Sequence, residues 1–253
     1  MVSLAEDLKL ALDRAAFARR LGLMPDPWQG DLLRSTSGRV LLNCCRQSGK
    51  STMTAVIALH RALYHPRSLI LCLAPALRQS QELFGKVLAS YRALDRPVPA
   101  QTERKLSLEL ENGSRIVTLP GTDKTIRGFS GAALLIVDEA SRVADELYFA
   151  VRPMLAVSGG TLMMLSTPYG KRGAFFEEWT KGGVWQRYEV PAGRCPRISE
   201  AFLAEERRSL PGWVYRQEYL CSFEETEDAV FTTEMVDAAL SAEVAPLFGE
   251  GAA

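Results

Sequence analysis

The chain has 253 residues, 47% of them apolar and 24% charged, a balance that suits one large α/β domain, or a domain with a small appendage, and excludes a disordered chain. Its 30 basic and 30 acidic residues cancel, so the whole molecule has no net field to attract nucleic acid, and any such contact must come from a local patch.

The spacing of Leu4, Leu8, Leu12, Ala15 and Ala16 predicts one amphipathic helix over residues 3–22, stopped at Gly22. Pro25-Asp26-Pro27-Trp28-Gln29 predicts a rigid turn into a second helix that runs through Leu33. Buried strands are expected over 39–44 and 68–74, with helices over 50–63 and 77–94. Alternating residues on both sides of Glu111-Asn112-Gly113-Ser114 predict a β-hairpin pairing 106–110 with 116–119. Further strands are expected over 134–137, 161–165 and 184–190, and helices over 199–210 and 213–219. Strands alternating with helices predict a mostly parallel sheet covered on both faces. The five cysteines include no C-x-x-C pair and read as reduced, buried thiols. With two histidines and no H-E-x-x-H, no zinc site is expected. The first dozen residues carry acids and no apolar run, so they do not read as a signal peptide. No run approaches the ~18 apolar residues of a membrane span.

Three motifs carry chemistry. Cys44-Cys45-Arg46-Gln47-Ser48-Gly49-Lys50-Ser51-Thr52 follows an apolar strand and opens a helix, the setting in which backbone N–H groups and a helix N-terminus converge on phosphates. In it Gly49 permits close approach, Lys50 offers an ammonium to the β/γ-phosphates and Ser51 a hydroxyl to Mg²⁺. The motif departs from G-x-x-x-x-G-K-[ST] in having Cys44 where the first glycine stands. Leu134-Leu135-Ile136-Val137-Asp138-Glu139 is an apolar strand ending in two acids. Asp138 there can hold the Mg²⁺ shell and Glu139 can deprotonate an attacking water. Ser166-Thr167-Pro168 ends the next strand, where a hydroxyl pair can sense the γ-phosphate; a plain Ser/Thr-Pro turn is the alternative.

Together these residues resemble the ATPase domain of the large terminases of tailed bacteriophages. Pro27-Trp28-Gln29, Leu73-Ala74-Pro75 with Gln79, Ile126-Arg127-Gly128, Gln217-Glu218-Tyr219 and Ala229-Val230-Phe231 extend the likeness over residues 24–231. The resemblance implies a three-layer α/β P-loop NTPase fold of the RecA-like kind with a small C-terminal lid. Its implied divisions are a core over 1–190, a lid over 191–232, and a linker over 233–253. It implies MgATP hydrolysis coupled to translocation of double-stranded DNA by a ring of subunits at a capsid portal, with the portal protein and small terminase subunit as partners. That activity belongs in the host cytoplasm. A nuclease domain is expected in the family soon after Phe231, so no nuclease residues are assigned here.

By resemblance Gln29 reads adenine, and Arg46, Gln47, Ser48, Gly49, Lys50, Ser51 and Thr52 cradle the nucleotide. Arg127 is either an arginine finger acting on the neighbouring subunit or a solvated or DNA-facing residue; Arg46 is the alternative sensor, acting within its own subunit. The candidates for phosphate contacts to DNA are Arg104, Lys105, Lys124, Lys171 and Arg172, each of which taken alone reads as a solvated surface charge, while Trp179 and Trp185 read as packing. A superfamily 2 helicase-like ATPase and a non-hydrolysing nucleotide-binding assembly module are the rival readings.

Overall fold

The computed structural model describes residues 3–121, 128–225 and 239. Its frame is one sheet built from β1 (Arg39–Cys44), β2 (Leu69–Ala74), β3 (Ala100–Glu103), β4 (Ser107–Leu110), β5 (Arg115–Pro120), β6 (Leu134–Asp138), β7 (Thr161–Ser166) and β8 (Gln186–Val190). The strand order is β3-β4-β5-β2-β6-β7-β1-β8. The six strands from β5 to β8 in that order run parallel. β3 and β4 continue antiparallel from β5, as the Asn112-Gly113 turn between β4 and β5 dictates.

The apolar runs of the central strands divide by parity between two cores, because successive side chains leave a strand on opposite faces. Val40, Leu42, Ile70, Cys72, Leu134, Ile136, Met163 and Leu165 face one core, with side chains from α2 (Arg14–Arg20), α3 (Pro27–Arg34), α4 (Lys50–Tyr64) and α5 (Leu77–Ala93). Leu41, Leu71, Leu73, Leu135, Val137, Leu162 and Met164 face the other, with Tyr148 and Val151 of α6 (Asp145–Val151) and Phe175 of α7 (Gly173–Thr180). The result is the expected three-layer α/β fold. Trp179 and Trp185 pack against the second core with Phe223, as the sequence predicted.

One expectation fails. The helix predicted over 3–22 is two helices, α1 (Leu4–Leu12) and α2, meeting at Asp13. Asp13 is extended (φ −124°) and its carboxylate accepts from the Ala15 N–H at 2.9 Å, so it ends one helix and caps the next. The turn at Asp13 breaks the stripe: Ala15 and Ala16 are buried, whereas Leu4, Leu8 and Leu12 face outward. Besides this, α6, α7 and β3 were not expected; the alternately exposed residues Ala100–Glu103 of β3 have no apolar run to announce them. β3 exists because β4 offers an edge to pair with.

After β8 come α8 (Glu200–Ser209), with its N-terminus capped by Ser199, and α9 (Gly212–Leu220). No helix among the described residues is long and apolar enough to cross a membrane.

Candidate active site

The sheet order makes β6, β7 and β1 neighbours, with Asp138 level with Leu165 and Asn43 level with Ser166. The carboxyl ends of three strands that are distant in sequence therefore open onto one crevice, where ligands bind in sheets of this class. The phosphate loop leaves β1 and turns into α4 through two left-handed residues, Gln47 (φ 59°) and Gly49 (φ 87°). A Cβ at Gly49 would stand 2.8 Å from Gln29 Nε2, so a side chain at position 49 meets a dihedral penalty and must also push the Gln29 amide aside. The Lys50 and Ser51 N–H groups at the start of α4 have no carbonyl one turn back, whereas the Thr52 N–H donates to the Gly49 carbonyl at 3.1 Å.

Lys50 is buried, and its ammonium lies 3.3 Å from Thr167 Oγ1 and 3.5 Å from Glu139 Oε1. One cation thus links all three motifs. Asp138, at the end of β6, is also buried and accepts hydrogen bonds from the Ser51 hydroxyl and, at 2.9 Å, from the Glu139 N–H. Burial pushes its carboxyl above the usual carboxylate range, with the Glu139 charge adding to the shift, while Lys50 and the two hydrogen bonds oppose it. Ser51 and Asp138 are two adjacent oxygen donors, the small protein share of a shell that Mg²⁺ completes with water and phosphate oxygens. These residues fit the ion. Glu139 is left-handed (φ 49°), a strained setting for a non-glycine residue that swings its carboxylate off the strand line toward Lys50.

Ser166 and Thr167 meet a residue that the sequence reading missed. The Ser141 hydroxyl lies 2.5 Å from Ser166 Oγ and donates to the Thr167 carbonyl at 2.7 Å. The hydroxyl pair is therefore tied to the turn that follows Asp138 and Glu139. The proximity of Ser141 to that acidic pair in sequence was the available signal.

The loop is braced from outside. Gln29 is buried, accepts from the Asp26 N–H at 3.0 Å and donates to the Ser48 carbonyl at 2.9 Å. Arg197 donates to the same carbonyl at 3.0 Å and to Asp26 Oδ1 at 2.8 Å. Nothing in the sequence around Arg197 marks it, since its partners lie far upstream. Arg46 is exposed and paired with Glu218 of α9, whose carbonyl also accepts from the Arg46 N–H at 3.2 Å. Asn43 Nδ2 donates to the carbonyl of Cys221 at 2.9 Å. Cys45 and Cys195 face each other, buried, at 3.8 Å between sulfurs. Gln47 and Thr52 lie on the loop and the first turn of α4, with Gln47 exposed.

Arg127 and Lys124 lie outside the described residues. The remaining candidate DNA contacts do not form one patch. Arg104 and Lys105 lie between β3 and β4, whereas Lys171 and Arg172 follow β7, four strand positions away from β4 in the sheet, roughly 19 Å at the usual strand spacing. Lys171 pairs with Glu225 at 3.5 Å, and beside it Arg142 stacks 3.9 Å over the Tyr169 ring.

The family model of the terminase large subunit, T4likevirus-type, N-terminal, matches residues 41–237. The chain belongs to this terminase family. Large-subunit terminases of Thermus virus P23-45 and Thermus phage G20c are each 28% identical to it over 253 residues, with 85% of this chain and 52% of the relative covered. The chain thus spans about half the length of these curated terminases. Among solved structures it is similar to the Thermus phage P74-26 large terminase ATPase domain, with a TM-score of 0.72 at 23% identity over 82% of this chain and 97% of that one. It is also similar to the large terminase of the thermophilic bacteriophage D6E in complex with ATP-γ-S, with a TM-score of 0.62 at 13% identity over 78% of this chain and 52% of that one. These likenesses establish the terminase ATPase-domain fold.

Proposed function

We propose that this chain hydrolyses MgATP and, as one subunit of a ring, drives double-stranded DNA into a procapsid. The observation that carries the reading is the Lys50 ammonium standing within 3.5 Å of both Glu139 and Thr167, which unites phosphate binding, water activation and phosphate sensing in one crevice. The complexes of the D6E terminase with ADP and with ATP-γ-S support an adenine nucleotide as the ligand.

In this reading the amides at the start of α4 and the Lys50 ammonium hold the β/γ-phosphates. Ser51 and Asp138 hold Mg²⁺, which would neutralise charge on the phosphates. A phosphate arriving on Lys50 competes with Glu139, whose carboxylate then orients the attacking water and takes its proton. Gln29, Arg197 and Asp26 keep the loop in shape rather than contacting phosphate; with one lone pair of the Gln29 carbonyl and one amide hydrogen committed to the protein, adenine reading has the second lone pair and the other amide hydrogen to use. Arg127 serves the neighbouring subunit's nucleotide. Thr167, Ser166 and Ser141 transmit the loss of the γ-phosphate to the turn after β6. Residues 191–232 act as the lid, a role supported by the contacts of Arg197, Glu218 and Cys221 with the phosphate loop and β1. DNA, the portal protein and the small terminase subunit are the partners of the assembled ring.

The test is MgATP hydrolysis by the purified chain across protein concentration, beside Glu139→Ala and Arg127→Ala. Specific activity that rises with concentration and vanishes in both variants supports a motor whose site is completed by a neighbour. Activity that is independent of concentration and unchanged in Arg127→Ala removes the trans-acting arginine.

A further inference from the structure

At the end of the sheet opposite the phosphate loop, the first residues of β1, β6 and β7 form the floor of a cavity of about 350 Å³. Its walls carry Arg14, His60, Arg61 and His65, with Ser35 and Ser37 beside them, and no Asp or Glu lines it. In a chain whose acids and bases are equal in number, this is a segregated positive concavity.

The two arginines are under-used. Arg14 donates to the Ser35 carbonyl, one bond from a guanidinium with five donor hydrogens. The Nε of Arg61 is buried and has no hydrogen-bond partner. Among the described residues neither forms an ion pair, in contrast to Arg46, Arg197 and Arg216, which all meet carboxylates. The two charges also act against each other: burial lowers the pKa of Arg14, and the charge of Arg61 lowers it further. The carbonyls near the end of α1 do not neutralise them, because those of Leu10 and Ala11 each lie 3.1 Å from His60 Nε2. Two half-buried, mutually repelling guanidinium groups with spare donors in a concave wall are suited to an anion that accepts from both.

We propose that this cavity is a second anion site, binding a small phosphate-bearing ligand of the size of pyrophosphate or a nucleoside monophosphate between Arg14 and Arg61. The volume lies at the small end of ligand pockets and is too confined for a duplex. Arg61 stands in the last turn of the helix that Lys50 begins, so α4 carries a phosphate site at each end, with Lys50 and Arg61 ~17 Å apart by helical rise.

The experiment is thermal unfolding and calorimetric titration with sodium pyrophosphate in metal-free buffer, using Lys50→Ala so that the phosphate loop lacks its ammonium. The expected result is a Tm that climbs with pyrophosphate in Lys50→Ala and stays flat in Lys50→Ala/Arg61→Gln and in Lys50→Ala/Arg14→Gln. Without anion, Arg61→Gln is expected to unfold at the same temperature as the wild type or higher, because a repulsion is removed; a residue with a merely structural role would lower it. Loss of the response in Lys50→Ala alone, its survival in both double variants, or a lower Tm for Arg61→Gln without anion would each overturn the proposal. Displacement of pyrophosphate by a blunt duplex oligonucleotide at equal phosphate concentration would also overturn it, by placing the two arginines on a DNA backbone.

Discussion

Lys50 Nζ and Glu139 Oε1 lie 3.5 Å apart, a contact between the start of the helix after β1 and the residue after β6. It holds the candidate base against the candidate phosphate ligand, so each group bears on the other's availability. Glu139→Gln keeps the side-chain shape and removes the charge. MgATP turnover is expected to fall by about 10²–10⁴-fold, the usual contribution of a general base, while nucleotide affinity holds or tightens because Lys50 loses a competitor. Steady-state kinetics beside a fluorescent-nucleotide titration check both halves. Unchanged turnover would remove Glu139 from its role.

Arg197 and Gln29 share the Ser48 carbonyl, and Arg197 is also the counter-ion of buried Asp26. Arg197→Ala removes a brace from the phosphate loop and leaves that carboxylate without its cation. Because Arg197 is half exposed, with a side-chain accessibility of 48%, the cost is about 1 kcal/mol rather than that of a fully buried pair. The KM for ATP is expected to rise about fivefold, with a smaller change in kcat. A fall in kcat at constant KM would mean that Arg197 contributes to the chemical step instead.

Gly49 combines a φ of 87° with a Cβ position 2.8 Å from Gln29 Nε2. Gly49→Ala therefore meets both a dihedral penalty, roughly 1–2 kcal/mol, and a clash. Calorimetry should show a Tm lower by roughly 2–8 °C for a chain of this size. Gln29→Ala removes the clash along with the Gln29 hydrogen bonds, so within a Gln29→Ala background the added Gly49→Ala should lower Tm by less than it does in the wild type, the dihedral strain alone remaining. No further loss in that background would make the clash the whole cause.

His60 is buried against Phe17 and Tyr64. Burial lowers its pKa to about 4, helped by the charges of Arg14 and His65 and opposed by the hydrogen bonds to Leu10 and Ala11. The unfolded chain titrates near 6.5, so between these values it binds a proton that the fold does not. The stabilisation is complete above pH 6.5 and is lost as pH falls toward 4, on the order of 3 kcal/mol across the window. Urea unfolding at pH 7, 6 and 5 should show a steeper decline for the wild type than for His60→Gln. Parallel declines would mean that His60 titrates normally in the fold.

Seven strands of the sheet and the helices α3, α4, α5, α8 and α9 were legible because period and punctuation are local, whereas β3, α6 and α7 were not expected. Apolar runs such as Leu134–Asp138, the Asn112-Gly113 turn and the Gly49-Lys50-Ser51 helix start each declare themselves within a few residues. The break at Asp13 was not legible: a continuous stripe and a capped break differ only in whether the core has room for Leu4, Leu8 and Leu12, which it leaves exposed.

The sequence by itself determined the residue types of the site and the strand ends on which Lys50, Asp138 and Thr167 stand. Only the tertiary structure decided that β6, β7 and β1 lie side by side, so that one ammonium reaches both Glu139 and Thr167. It alone placed Arg197 on the carbonyl of Ser48, Glu218 on Arg46, and Arg14 beside Arg61 in a wall without acids. The physical reason is range. Backbone propensity and turn chemistry act between near neighbours, whereas hydrogen bonds and charge pairing join groups that meet only after the strand order has been chosen.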